Sequence, residues 1–147
     1  PNHLDMVRRR KHGYLEALRE NHIPIDRDLV VCDKIDFDVA RNATLRLLES
    51  ENRPDAILAF NDIITYAAFD AIKAKGLRIP EDVAIIGFTD GDTAAFVTPR
   101  LTAIMDQAHV QGTKACELLM RSIKGDDKIY KEVVPMILKI RESSEKN

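Results

Sequence analysis

The sequence has no tryptophan and two cysteines, and aromatic residues make up only 5% of its 147 residues. Two cysteines cannot form the dense disulfide framework of small secreted domains, so Cys32 and Cys116 are expected to be free thiols. No apolar run approaches the ~20 residues that a membrane-spanning helix needs. Neither charge dominates, because 22 Lys and Arg face 24 Asp and Glu. A net charge of -2 gives no positive field for nucleic acid, so this stretch is not expected to read DNA itself.

What is present is an ordinary globular composition, with 45% hydrophobic and 31% charged residues. The length suits one domain or one lobe with a real core. The sequence starts in a helix-like segment without the apolar stretch of a secretion signal. Together with the free thiols, this favours a cytoplasmic location.

The most informative stretch is residues 53–88, which predicts one βαβ unit. Residues 56–60 form a short apolar run typical of a strand buried on both faces. A helix over residues 62–75 follows and ends at Gly76, the residue type favoured just past a helix C-terminus. The second strand covers residues 83–88. The two strands should be parallel, with a right-handed crossover.

The rest of the chain continues this alternation and predicts a parallel α/β sheet with helices on both faces. The other predicted elements are helices over 5–21, 36–50 and 108–124, strands over 29–32, 101–105 and 133–140, and a loop or single helical turn over 91–98.

Polar residues follow both strands of the βαβ unit, at the edge where open parallel sheets bind ligands. Asn61 and Asp62 follow the first strand, and Thr89 and Asp90 follow the second. Asn61 and Asp62 could each cap the helix, and one cap suffices, so one side chain is left to face the crevice. Asp90 could simply form a turn beside Gly91, or accept bonds from ligand hydroxyls.

Neither a metal site nor a cofactor site is predicted. The four histidines lack the spacing of metal ligands. Residues 36–38 and 90–92 each pair two aspartates, but the later oxygen ligands and the glycine of a calcium loop are missing.

Several short stretches, in order and spacing, closely resemble the effector-binding domain of the lactose-repressor (LacI) family of transcriptional regulators. They are Arg-Pro-Asp-Ala-Ile at 53–57, Phe-Asn-Asp at 60–62, Gly-Leu-Arg-Ile-Pro-Glu-Asp-Val at 76–83, Ile-Gly-Phe at 86–88 and Thr-Pro-Arg-Leu-Thr at 98–102. The resemblance implies a periplasmic-binding-protein-like (type I) fold, of which residues 1–147 are the second lobe. It also implies that residues ~106–128 cross into a first lobe, and that the DNA-binding helix-turn-helix lies outside this chain.

The resemblance also implies effector-binding residues. Asn61 matches an asparagine that hydrogen-bonds sugar or purine effectors, which makes Asp62 the expected helix cap. Arg10 matches an arginine aimed at the effector. In the family the two residues after the Gly-Phe step are often both acids. Here the first is Thr89, and only the second, Asp90, is acidic. The effector is therefore expected to differ from a simple neutral hexose.

Family pockets also stack a flat side chain on the sugar. Phe37 is the candidate here, although the match could fall on Ile35, and Phe37 could equally belong to the core.

The helix over 62–75 is apolar on more than one face, so it should be covered on two sides, by the sheet and by a partner subunit. In the family this helix belongs to the dimer interface. The residues expected there are Ile63, Tyr66, Ala67, Phe69 and Asp70.

The predicted function is therefore the ligand-sensing and dimerising portion of a transcriptional regulator, not an enzyme, which needs no cofactor and contacts no membrane. It would couple a small molecule, a sugar or sugar derivative, to operator affinity in a separate headpiece. A lobe of a periplasmic sugar-binding protein is the alternative. A remote one is an aspartyl-phosphatase-like hydrolase, because residues 85–93 faintly resemble that active-site opening, but the downstream residues do not fit.

Overall fold

The computed structural model describes residues 5–89 and 91–145, which form five α-helices and a four-stranded sheet. None of the helices in these two ranges is long and apolar enough to span a bilayer. The elements are α1 (Asp5–Glu20), α2 (Phe37–Glu49), β1 (Ala56–Ala59), α3 (Asp62–Ala74), β2 (Ala84–Phe88), α4 (Thr93–Phe96), β3 (Thr102–Met105), α5 (Ala108–Ile123), β4 (Ile137–Lys139) and a 3-10 turn at Glu142–Ser144.

The sheet has the strand order β1-β2-β3-β4. The first three strands are parallel, as the alternation of strands and helices predicted, and only the edge strand β4 is antiparallel. Parallel pairing brings the ends of β1, β2 and β3 to one edge of the sheet, where Phe60, Thr89 and Asp106 follow.

The core lies between α3 and the sheet. Its largest fully buried side chains include Ile72, Ile85, Leu101 and Val83, each completely enclosed. Helix α3 follows the cap Asn61 and ends at Ala74 with Lys75 as its C-cap. The next residue, Gly76, has a φ of 68°, in the left-handed region that favours glycine. The predicted βαβ unit is therefore confirmed.

The second apolar face of α3 is covered by α2 of the same chain, not left open for a partner. Ala67 is fully buried and Phe69 is 7% exposed. Asp70 accepts from Arg41 of α2 across 2.6 Å. The sheet and α2 together cover α3, so the burial of its apolar faces does not require a partner subunit, and the expected dimer interface on α3 stays a prediction. Ile63, at 45% exposure, is the apolar member of the predicted interface that stays open.

Two strand predictions need correction. Residues 29–32 form no strand; they run beside α1 and α2, and their apolar side chains line a cavity instead of joining the sheet. Strand β1 is not buried on both faces, because Leu58 is 44% exposed and β1 forms the edge of the described sheet.

Helix α5 and strand β4 stand apart from the core. Helix α5 follows its predicted bounds closely and stops before Gly125, but none of its residues is buried. Leu119 and Ile123 of its apolar stripe are 60% and 68% exposed. Strand β4 is shorter than predicted and exposed along its length.

The chain returns to the core at Ser143, which is fully buried. Its Oγ donates to the carbonyl oxygen of Ile85 at 2.6 Å and accepts from the backbone N–H of Thr102 at 2.8 Å. This one hydroxyl ties the C-terminal turn to both β2 and β3.

Candidate functional site

The carboxyl edge of the sheet brings together two of the predicted contact residues, Asn61 and Arg10, around the ends of β1 and β2. Asn61 is the residue that caps α3, since its Oδ1 accepts from the N–H of Ile64 at 3.0 Å. The expectation that Asp62 serves as the cap was wrong; it is the first residue of the helix. The Asn61 side-chain oxygen is therefore engaged, and its amide nitrogen is the group left to meet a ligand.

Arg10 reaches from α1 to the ends of both strands. Its Nη1 donates to the carbonyl oxygen of Phe60. Its guanidinium carbon lies 3.9 Å from the centre of the Phe88 ring and 5.0 Å from that of Phe60, so the cation is held between aromatic faces. Burial lowers the pKa of Arg10 from its ordinary value, and the charge of Asp106 partly opposes that shift.

Thr89 and Asp90 are the two residues that follow β2 in the sequence. Thr89 is 3% exposed, and its Oγ1 is buried without a hydrogen-bond partner among the described residues. Its hydroxyl is thus shielded from the crevice in this conformation. Asp90, the predicted carboxylate contact, lies outside the described residues.

The predicted aromatic Phe37 does not join this group. It is the first residue of α2 and is 42% exposed, so it does not belong to the core either. Ile35, the other candidate for this position, lines the neighbouring cavity.

That cavity has a volume of about 250 Å³ and lies between α1, the segment 29–35, α2 and the free edge of β1. Its walls are mainly apolar; its charged side chains are Arg10, Lys11, Asp33 and Lys34. The Lys11 Nζ lies 3.7 Å from the Cys32 Sγ. Both cysteines are free, as expected, and both are exposed.

The sequence reading missed the aromatic contacts of Arg10. Phe60 and Phe88 occupy equivalent places, each at the end of a parallel strand, and that equivalence was visible in the sequence. What it could not reveal was that α1 crosses close enough to place a cation on both rings.

Comparison with known proteins agrees with this fold. Residues 1–144 match the family model described as periplasmic binding protein-like domain. The probable HTH-type transcriptional repressor ExuR of Bacillus subtilis is 42% identical over 95 residues, which cover 65% of this chain and 28% of that protein. The HTH-type transcriptional repressor PurR of Vibrio atlanticus is 33% identical over 127 residues, covering 85% of this chain and 38% of PurR.

Solved structures give the same result. A LacI family transcriptional regulator from Bifidobacterium animalis subsp. lactis superposes with a TM-score of 0.87 at 28% identity, over 98% of this chain and 52% of that one. A complex of the transcriptional regulator CelR with cellobiose superposes with a TM-score of 0.81 at 31% identity, over 92% of this chain and 42% of that one.

The chain thus spans less than two fifths of the two repressors, and 52% and 42% of the two solved regulators. Within that span, the family model matches residues 1–144 of the 147. The chain belongs to the periplasmic binding protein-like domain family, in the branch found in LacI-family transcriptional regulators.

Proposed function

We propose that this chain is the second lobe of the effector-binding domain of a cytoplasmic transcriptional regulator, and that it senses a small molecule. The observation that carries the proposal is Arg10, held by Phe60 and Phe88 at the carboxyl ends of two parallel strands. Ligands of open α/β sheets bind at that edge. Asn61 contributes the second polar group there, through its amide nitrogen.

The exposed apolar stripe of α5 supports the presence of a second lobe that packs against it. Helix α5 has no buried residue although its sequence is amphipathic, and an unpaired apolar stripe of this kind marks an interaction surface. We assign residues 106–128 to packing against a first lobe. Effector binding between two such lobes would shift their arrangement, and so the affinity of a separate DNA-binding headpiece for its operator.

A sugar or sugar derivative is the proposed effector class. One solved relative is a complex with cellobiose. The proposed assembly is a homodimer, with the exposed residue Ile63 of α3 at the contact.

The regulator is favoured over the two alternatives. The relatives named above are repressors and regulators, which favours it over a periplasmic sugar-binding lobe and over a phosphatase-like hydrolase.

The experiment uses the full-length protein that carries this chain. Its binding to labelled DNA from upstream of its own gene is followed by fluorescence anisotropy while sugars, sugar acids and sugar phosphates are added. We expect at least one of them to change the midpoint of DNA binding severalfold, as couplings of ~1–3 kcal/mol produce. Tight DNA binding that none of these compounds alters would contradict the proposed function.

A further inference from the structure

The cavity of about 250 Å³ runs along the whole length of β1. Its lining includes Ala56 at the amino end of the strand and Phe60 just past the carboxyl end. Helix α2 contributes Ala43 and Leu47. Asn61 does not line it. The cavity therefore extends away from the carboxyl edge of the sheet, behind the candidate site.

Helix α1 covers this cavity but is not tightly packed. Its apolar side chains Val7 and Tyr14 line the space, yet none of its 16 residues is buried. An amphipathic helix normally buries its apolar stripe against the core. A molecule held between α1 and β1 would complete that packing.

The cavity wall suits an apolar ligand better than a sugar. Thr44 is a buried polar residue on the wall, and its hydroxyl already donates to the Ala40 carbonyl oxygen at 2.9 Å. The hydroxyl groups of a sugar would meet mainly apolar side chains, and polar groups buried without partners are costly. An apolar cavity of about 150 Å³ in another protein is large enough to bind benzene. This cavity has room for a larger ring system.

The charged side chains of the lining carry both signs. Asp33 disfavours an acidic ligand, whereas Arg10 and Lys11 disfavour a basic one. An uncharged aromatic ring avoids both conflicts, because its face attracts a cation without bringing a negative charge. Aromatic rings also pair favourably with each other, and Tyr14 and Phe60 lie on the wall.

We propose that the cavity between α1, α2 and the edge of β1 binds a small uncharged aromatic molecule, at a site separate from that of the sugar effector. This site goes beyond the proposed function and does not depend on it. Its occupancy would fix α1 against the sheet. Since α1 also carries Arg10, a ligand here would steady one wall of the effector site.

Protection of Cys32 from alkylation tests the proposal on the full-length protein, with indole as the probe. Both cysteines are free and exposed, but Cys32 lines the cavity whereas Cys116 lies on α5 and does not. Iodoacetamide labelling of each cysteine is followed by mass spectrometry. Saturating indole should slow the labelling of Cys32 at least about threefold and change that of Cys116 by less than about 1.5-fold, because thiol reactivity depends on access.

A matched pair of variants locates the bound indole. Ala43 is buried at the cavity wall, so Ala43→Leu extends a side chain into the space. Calorimetry should show that this substitution weakens indole binding about tenfold or more, since it occupies the volume of the ligand. Ala74→Leu makes the same change at an exposed position of α3 outside the cavity, and should leave binding unchanged. Binding to the unsubstituted protein should show a negative heat-capacity change, the mark of apolar burial.

Three results would each overturn the proposal: no saturable binding of indole, equal slowing of labelling at both cysteines, or indole binding that survives Ala43→Leu. If Ala43→Leu fails to fold, the comparison of Cys32 with Cys116 in the unsubstituted protein decides alone. None of these results bears on the proposed function, which is judged by the response of DNA binding to sugars.

Discussion

Gly87 lies so close to Thr65 that a Cβ atom on it would come within 2.3 Å of the threonine side chain. Thr65 cannot easily give way, because its Oγ1 donates to the Asn61 carbonyl oxygen at 2.6 Å. Helix α3 thus packs directly against the backbone of β2, immediately behind the residues that form the candidate site.

The first prediction follows from this contact. Gly87→Ala should destabilise the protein by about 1–3 kcal/mol, the usual range for overpacking a filled core. Urea unfolding of the intact protein measures the change. Gly13→Ala on α1 is the control, since outside its own helix backbone no neighbouring atom lies within 4 Å of the added carbon, and it should be neutral or slightly stabilising. Equal effects of the two substitutions would refute the packing argument.

The second prediction concerns the hydroxyl of Ser143. Ser143→Ala removes its bonds to Ile85 and Thr102 and leaves a buried N–H without its partner. We expect a loss of about 1–3 kcal/mol in the free energy of unfolding. Ser50→Ala, where an exposed hydroxyl bonds only the Leu47 carbonyl oxygen, should change it by less than about 0.5 kcal/mol. Thermal melts that show no difference between the two variants would contradict the role of this hydroxyl.

The third prediction separates the two roles of Asn61. Asn61→Asp keeps an oxygen for the Ile64 N–H but removes the amide donors, so effector affinity should fall while stability changes little. Asn61→Ala loses both, and should also cost about 1 kcal/mol of stability. Calorimetry and thermal melts on the same samples measure both quantities. Wild-type effector binding by Asn61→Asp would mean that Asn61 is only a helix cap.

The fourth prediction concerns self-association through α3. Ile63→Lys changes an exposed residue, so it should weaken dimers without unfolding the chain. Phe69→Lys places a charge at a buried position, and should unfold the chain before it can report on dimers. Sedimentation and circular dichroism distinguish these outcomes. Ala74→Lys, at an exposed position at the end of α3, is the control and should leave dimers intact. If Ile63→Lys leaves them intact as well, the interface lies elsewhere.

The fifth prediction concerns acid stability. Hydrogen bonds from the Arg78 side chain and backbone N–H lower the pKa of Asp82 from 3.8 to about 2. A carboxyl whose pKa is lower in the folded state stabilises the fold above its unfolded value, and this stabilisation is lost as pH falls from about 4 towards 2. Asp82→Asn should therefore flatten the pH dependence of unfolding in that window. An identical slope in both proteins would argue against the pairing.

The sequence predicted the βαβ unit well because each of its signals is local: an apolar run, a capping residue, a glycine stop. It failed where the outcome depended on distant parts of the chain. Residues 29–32 have a strand-like composition, but whether they join a sheet depends on a neighbouring strand. The cover of α3 was assigned to another subunit because sequence alone does not show that α2 packs against it.

The candidate site was also predicted only in part, because some of its features depend on local sequence and others on contacts between distant parts of the chain. The parallel alternation fixed which residues follow the strands, so Asn61 was placed correctly at the sheet edge. Whether Asn61 caps α3 depends on one hydrogen bond, from the Ile64 N–H to its side-chain oxygen, which the sequence does not show. The aromatic setting of Arg10 depended on how α1 crosses the sheet, and no periodicity in the sequence encodes that crossing.

The anchoring of Ser143 has a consequence for how the chain would behave if it were cut. Residues 126–136 contain neither helix nor strand, and Ile129 among them is fully exposed, so a protease would cleave there first. The downstream piece would still hold the β4 ladder to β3 and the Ser143 hydroxyl inside the core. The nicked protein should therefore travel as one particle on a sizing column and separate into two fragments only in denaturant.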